Sequence, residues 1–145
     1  MEASTLVIAT GCIAAMLALV LIRGKKDASW RTLEALYPSP ASLEGPDYRL
    51  PLCWFGTRLE PFRNAFRAQL GGSGIRVRGI GPWGWFREPI LLPWAAARTL
   101  HPVEPLGLGA HFLRMEVDGI EIELTFPKHA LPALAHHGVI PSRAA

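Results

Sequence analysis

The stretch FLRMEVDGIEIELTF, from Phe112 to Phe126, alternates apolar and polar residues on both sides of Asp118-Gly119. Period-two alternation marks a strand with one buried face, because successive side chains point to opposite sides of the backbone. Asp-Gly is favoured in type I′ turns, where both central residues take positive φ. A β-hairpin follows, with Phe112 to Val117 and Ile120 to Phe126 as its strands and Arg114, Glu116, Glu121 and Glu123 on its polar face.

Upstream, Phe66 to Leu70 and Ile75 to Arg78 flank Gly71-Gly72-Ser73-Gly74, which predicts a second hairpin. A helix from Pro61 to Leu70 competes, since Leu59, Phe62, Phe66 and Leu70 also fit a 3.6-residue period. Glu88 to Trp94 reads as a short strand bracketed by Pro89 and Pro93, suited to a sheet edge. Downstream of Pro127 the chain to His137 is predicted to make one or two helical turns, with Pro132 denying a longer helix, Gly138 stopping it and 141–145 forming a frayed tail. The fold class is α+β: one small, mainly antiparallel β domain over 52–140 with a short C-terminal helix.

In front of that domain, 23–51 divides into a juxtamembrane helix and a linker. Trp30, Leu33, Leu36 and Tyr37 share one helical face, which either lies in the headgroup layer or packs on the domain. Pro38, Pro40, Pro46 and Pro51 favour extended backbone, with a covering strand around Tyr48 to Leu52 as an option.

Residues 3–22 carry no charge, and about 20 residues at 1.5 Å each span a hydrocarbon core. A buried core helix would show a polar face, and none is present from Leu6 to Ile22. A cleaved signal peptide would need a basic start and a small-residue cleavage site, which Glu2 and the Ile22-Arg23 junction do not provide. The reading is a single-pass anchor. Arg23, Lys25 and Lys26 follow it while Glu2 alone precedes it, which places the N-terminus outside and the domain in the cytoplasm of an inner membrane. Leu6, Gly11, Ala15, Ala18 and Ile22 lie along the anchor, and Gly11-x-x-x-Ala15 is a small-xxx-small pattern open to self-association. Cys12 in the anchor and Cys53 in the domain are not expected to pair.

The basic stretch mixes arginine with aromatics as a nucleic-acid surface would, but Glu104 to Glu123 is net acidic and a membrane tether disfavours genome access. Gly79-Ile80-Gly81-Pro82-Trp83-Gly84 satisfies G-x-G-x-x-G, but Pro82 and Pro89 deny the helix that a dinucleotide site requires. His101, His111, His129, His136 and His137 lack metal-ligand spacing. No serine or cysteine stands in a nucleophile motif, and Glu116, Asp118, Glu121 and Glu123 read as a solvated sheet face. No catalysis, cofactor, metal or small-molecule substrate is expected. The feature that stands out is Pro82-Trp83-Gly84-Trp85-Phe86-Arg87 beside Arg76 and Arg78, within a segment where arginine recurs from Arg49 to Arg98 against only Glu60 and Glu88. Arg76, Arg78, Trp83, Trp85, Phe86 and Arg87 are therefore taken as the contact surface for lipid or a partner.

A hairpin, a Leu-Leu-Pro-Trp strand at Leu91 to Trp94, a second hairpin and a closing helix resemble the strand order of small PH/GRAM-like domains in membrane-anchored bacterial proteins, over Trp30 to Leu134. The resemblance implies a partly open barrel capped by a C-terminal helix that binds lipid or peptide, although Pro132 interrupts the capping segment. The function expected is that of a noncatalytic membrane-tethered accessory domain that binds a membrane protein or complex at the cytoplasmic face. The alternative is an anionic-lipid-binding module using the arginines and the tryptophan loop.

Overall fold

The computed structural model describes residues 2–26, 28–39, 43–56, 62–102 and 111–139. Helix α1, Glu2–Lys26, is long and apolar enough to span a membrane. None of its apolar window is buried, which removes the core-helix reading: Leu6, Ile8, Ile13, Met16 and Leu19 all stand exposed. The helix continues through Arg23, Lys25 and Lys26, and α2, Ala28–Leu36, begins after one further residue.

Seven strands form one antiparallel sheet. They are β1 Asp47–Phe55, β2 Phe62–Gly71, β3 Gly74–Gly79, β4 Ile90–Leu92, β5 Ala97–Pro102, β6 His111–Val117 and β7 Ile120–Phe126. Their order is β4-β3-β2-β1-β7-β6-β5, so strands consecutive in sequence, β4 and β5, occupy opposite edges. In a flat sheet those edges would lie about 29 Å apart, at about 4.8 Å per step. The chain from Leu92 to Ala97 reaches at most about 18 Å. The sheet must therefore curl. Segment 90–102 is in effect one bent strand that pairs with β3 at its start and with β6 at its end, broken by a 3-10 turn at Trp94–Ala96. Counted this way, six alternating strands make a half-barrel.

The registers define two mouths. Phe55, Phe62, Gly79 and the Asp118-Gly119 turn lie at the first, and Asp47, Gly71, Gly74 and Phe126 at the second. The first is filled by α2, whose Trp30 (1% exposed) and Leu33 belong to the core. The helix expected at the membrane surface thus packs on the domain, whose core begins at α2 rather than at residue 52. The expected linker shrinks accordingly: β1 begins at Asp47, and Tyr37 to Ser39 runs beside β4, with Leu91 N–H donating to the Tyr37 carbonyl at 3.0 Å. Glu34 completes the attachment, its Oε1 accepting the Trp30 indole N–H at 2.8 Å and the Glu88 amide at 2.6 Å.

Both predicted hairpins are present, and β2 excludes the competing helix over 62–70, while Leu59 and Pro61 lie outside the described residues. Asp118 (φ 49) and Gly119 (φ 79) take the positive φ of a type I′ turn. Pro51, in the centre of β1, has no N–H to give to β2. The pairing slips there from Leu50↔Phe66 to Leu52↔Arg63, and Asn64 takes the extra place at φ 49, so a bulge absorbs the proline. The strand expected over Glu88 to Trp94 is shorter, Ile90–Leu92, because Trp94 turns away and donates its indole N–H to Gly71 O at 2.7 Å. After Pro127 a 3-10 turn, Lys128–Ala130, leads into α4, Leu131–His136. Pro132 falls in the first turn, where a missing N–H costs nothing. Gly138 (φ 82) closes the helix, with Val139 N–H reaching Leu134 O at 3.0 Å. Ala130 and Leu134 join the core at the second mouth, and the expected frayed tail lies outside the described residues.

Candidate contact surface

The six residues expected to form one contact surface are divided by the fold. After β3 the chain makes a single turn of helix, α3, Pro82–Trp85, folded back onto the strand it left. A Cβ placed on Gly79 would stand 2.4 Å from the Trp83 carbonyl carbon, so the contact is backbone against backbone and needs glycine there. The glycines of the G-x-G-x-x-G string thus serve a tight return, with no continuing helix to offer an N-terminus to phosphate.

This return turns Trp83 inward. Its ring meets Phe62 edge-on at 5.4 Å and packs on the core. Arg87 follows it in and is only 4% exposed. The guanidinium sits over the rings of Phe62 (5.4 Å), Phe66 (5.9 Å) and Trp83 (5.8 Å), a cation–π enclosure worth about 2 kcal/mol or more per desolvated contact. Arg76 is also buried and donates from Nε to Ser39 Oγ at 3.0 Å. Burial and the neighbouring Arg78 charge pull its pKa below the usual arginine range. Arg78 and Arg67 both bond Asp47 Oδ2 at 3.0 Å. Trp85 (61% exposed) and Phe86 (51%) alone of the six present large apolar surface to the outside. They lie in the return between Trp83, which meets Phe62 at the first mouth, and Glu88, whose amide donates to Glu34 of α2.

The remaining candidates are dispersed. His129 packs against Tyr48 (5.4 Å), and His137 stacks on Trp94 at 4.4 Å and 14°. Among the described residues no three His, Cys, Asp or Glu converge as metal ligands. Glu116 faces Glu121 across β6 and β7, Glu123 pairs with Arg114 at 3.1 Å, and Asp118 accepts the Tyr37 hydroxyl at 2.9 Å. Glu121 and Glu123 line a small depression with Trp54 and Gly56. On α1, open space surrounds the Cβ position of Gly11 in the small-xxx-small pattern.

Sequence reasoning missed Arg49 and Arg67. They alternate onto the polar faces of β1 and β2, and only the register reveals that they stand side by side with Arg78. Comparison of the chain with protein-family models, with curated proteins and with solved structures finds no match in any of the three.

Proposed function

We propose that this protein is a noncatalytic accessory domain, tethered by α1 and held end-on at the cytoplasmic face of the membrane, where it binds a membrane protein or complex. The observation that carries the reading is the exposure of Trp85 and Phe86 on the same mouth that α2 fills, one residue beyond α1. A docked α2 leaves little slack between anchor and domain, so this mouth faces the bilayer and the two rings lie at headgroup depth. Tethering raises the effective concentration of the domain for any partner in the same membrane, so a small aromatic patch suffices for occupancy. The basic trio after the anchor supports the cytoplasmic orientation. A half-barrel with a helix at its second mouth supports the PH/GRAM-like expectation at the level of architecture.

The test is photo-crosslinking from position 85 in native membranes, using the full chain. A discrete membrane protein should be captured, and Phe86→Ala should reduce the yield several-fold. Crosslinks to lipid alone would overturn the reading.

A further inference from the structure

On the outer wall of β1, β2 and β3 the register builds a rung in which Arg49 faces Arg67 and Arg67 faces Arg78. Leu50, Phe66, Ala68 and Val77 are buried, so the alternating arginines point away from the core. Directly opposed residues hold their Cβ atoms about 5 Å apart, and like charges so placed destabilise a sheet. The next rung supplies one counter-ion, Asp47, which faces Gln69, itself facing Arg76.

Asp47 serves two of the three guanidiniums through a single oxygen. Oδ2 bonds Arg67 Nε and Arg78 Nη2, both at 3.0 Å, while Oδ1 is buried without a hydrogen-bond partner. Arg49 is exposed and has no ion pair among the described residues. The lower rung is roofed, since Gln69 bonds both the amide and the carbonyl of Leu43 and Ser39 covers Arg76. The upper rung stays open, with the Arg67 and Arg78 side chains 32% and 39% exposed. The wall therefore holds three parallel forks, two of them fixed by Asp47, with positive charge in excess.

We propose that Arg49, Arg67 and Arg78 form a binding site for the phosphate groups of anionic lipid headgroups. Guanidinium forks grip a tetrahedral anion through paired N–H donors, and fixing two of them in advance lowers the ordering cost. Headgroups are favoured over soluble phosphates because α1 confines the domain to membrane surfaces that are rich in them. The inference rests on the anchorage proposed above, but not on Trp85 and Phe86.

The full chain in neutral phosphatidylcholine nanodiscs is presented to vesicles of phosphatidylcholine with or without 30% phosphatidylglycerol. Anionic vesicles should be captured, Arg49→Gln should weaken capture at least fivefold, and Arg114→Gln, the same charge change on the opposite wall, should weaken it less than twofold. Arg49 has no ion pair to lose among the described residues, so R49Q should keep the wild-type melting midpoint. Equal losses in R49Q and R114Q would mean diffuse attraction and overturn the site. Tripolyphosphate binding that depends on Arg49, without vesicle capture, would overturn the headgroup assignment in favour of a soluble phosphate ester. Displacement of the vesicles by hexaglutamate as readily as by tripolyphosphate would overturn phosphate recognition. Trp85→Ala/Phe86→Ala should leave vesicle capture intact, and Arg49→Gln should leave partner crosslinking from position 85 intact, so the two proposals fail separately.

Discussion

The indole of Trp30 stands edge-on to Phe55, with ring centroids 4.9 Å apart and planes at 84°. Phe66 lies 5.2 Å from the same indole, and Phe62 lies 5.0 Å from Phe66. A helix that precedes the sheet thus supplies the central ring of an aromatic cluster at one mouth. Its indole N–H is satisfied by Glu34, so the group costs nothing in an apolar place.

Trp30→Ala should therefore destabilise the domain by about 3–5 kcal/mol, the usual cost of emptying an aromatic core site. Urea unfolding of the detergent-solubilised chain, followed by the remaining tryptophans, measures it. A chain beginning at Pro38 should fail to fold, whereas one beginning at Ala28 should unfold cooperatively. A loss below about 1 kcal/mol for W30A would show that α2 is only resting on the barrel.

Two glycines near the β2–β3 hairpin should respond oppositely to a methyl group. At Gly79 a Cβ collides with the Trp83 backbone, while at Gly72 nothing lies within 4 Å. Gly79→Ala should cost about 1–3 kcal/mol, as overpacking does, and should shift the 80–87 return. Gly72→Ala should stay within about 0.5 kcal/mol of wild type. Similar midpoints for both variants would contradict the close approach.

Tyr37 donates to Asp118 at 2.9 Å, and this hydrogen bond, followed by burial and the carboxylate charge, raises the phenol pKa above its ordinary value. The fold favours the neutral phenol. Its contribution is therefore present below the unfolded tyrosine pKa, about 10, and disappears as pH rises through the higher folded value. Tyrosine occurs only at 37 and 48, so Tyr48→Phe isolates the titration. Phenolate absorbance in that background should have its midpoint above the usual range. Asp118→Gly, which keeps the positive φ of the turn, should return it. An unchanged midpoint in D118G would remove the interaction.

Local alternation and Asp118-Gly119 sufficed to read the second hairpin, because both signals lie within one stretch of chain. Proline and glycine positions likewise bounded α4. Long-range placement was not legible. Trp30 has the same residue type and spacing whether it faces headgroups or the core, and only the partners Phe55 and Phe66 decide. β5 follows a 3-10 turn and lacks a clean alternation, so nothing local announced it. The contact surface was read as one unit because Trp83 to Arg87 are adjacent in sequence, yet the return at Gly79 sends Trp83 and Arg87 inward and leaves Trp85 and Phe86 outside. The arginine rung needs two strand registers, which no local pattern specifies.

Arg87 gives a direct check on that division. Three rings enclose its planar guanidinium, and Nη1 donates to the Trp83 carbonyl at 3.4 Å. An ammonium keeps the charge but neither stacks nor forks in the same way. Arg87→Lys should cost about 1–2 kcal/mol by loss of packing and cation–π contact, and should leave capture of anionic vesicles unchanged. Reduced capture at unchanged stability would return Arg87 to the lipid-facing set.

The two cysteines report on the surroundings of α1. Cys12 stands exposed on the wall of α1, and Cys53 is buried in β1 at 1% exposure. In aqueous solution a water-soluble maleimide would reach the first and not the second. If α1 crosses a bilayer, Cys12 sits near mid-membrane, where neither the reagent nor the thiolate that reacts with it is stable. Intact vesicles should then show neither residue labelled, and labelling of both should appear only after solubilisation in SDS. Brief treatment of intact vesicles that labels Cys12 while sparing Cys53 would place α1 in water, and with it would go the end-on arrangement that puts Trp85 and Phe86 at headgroup depth.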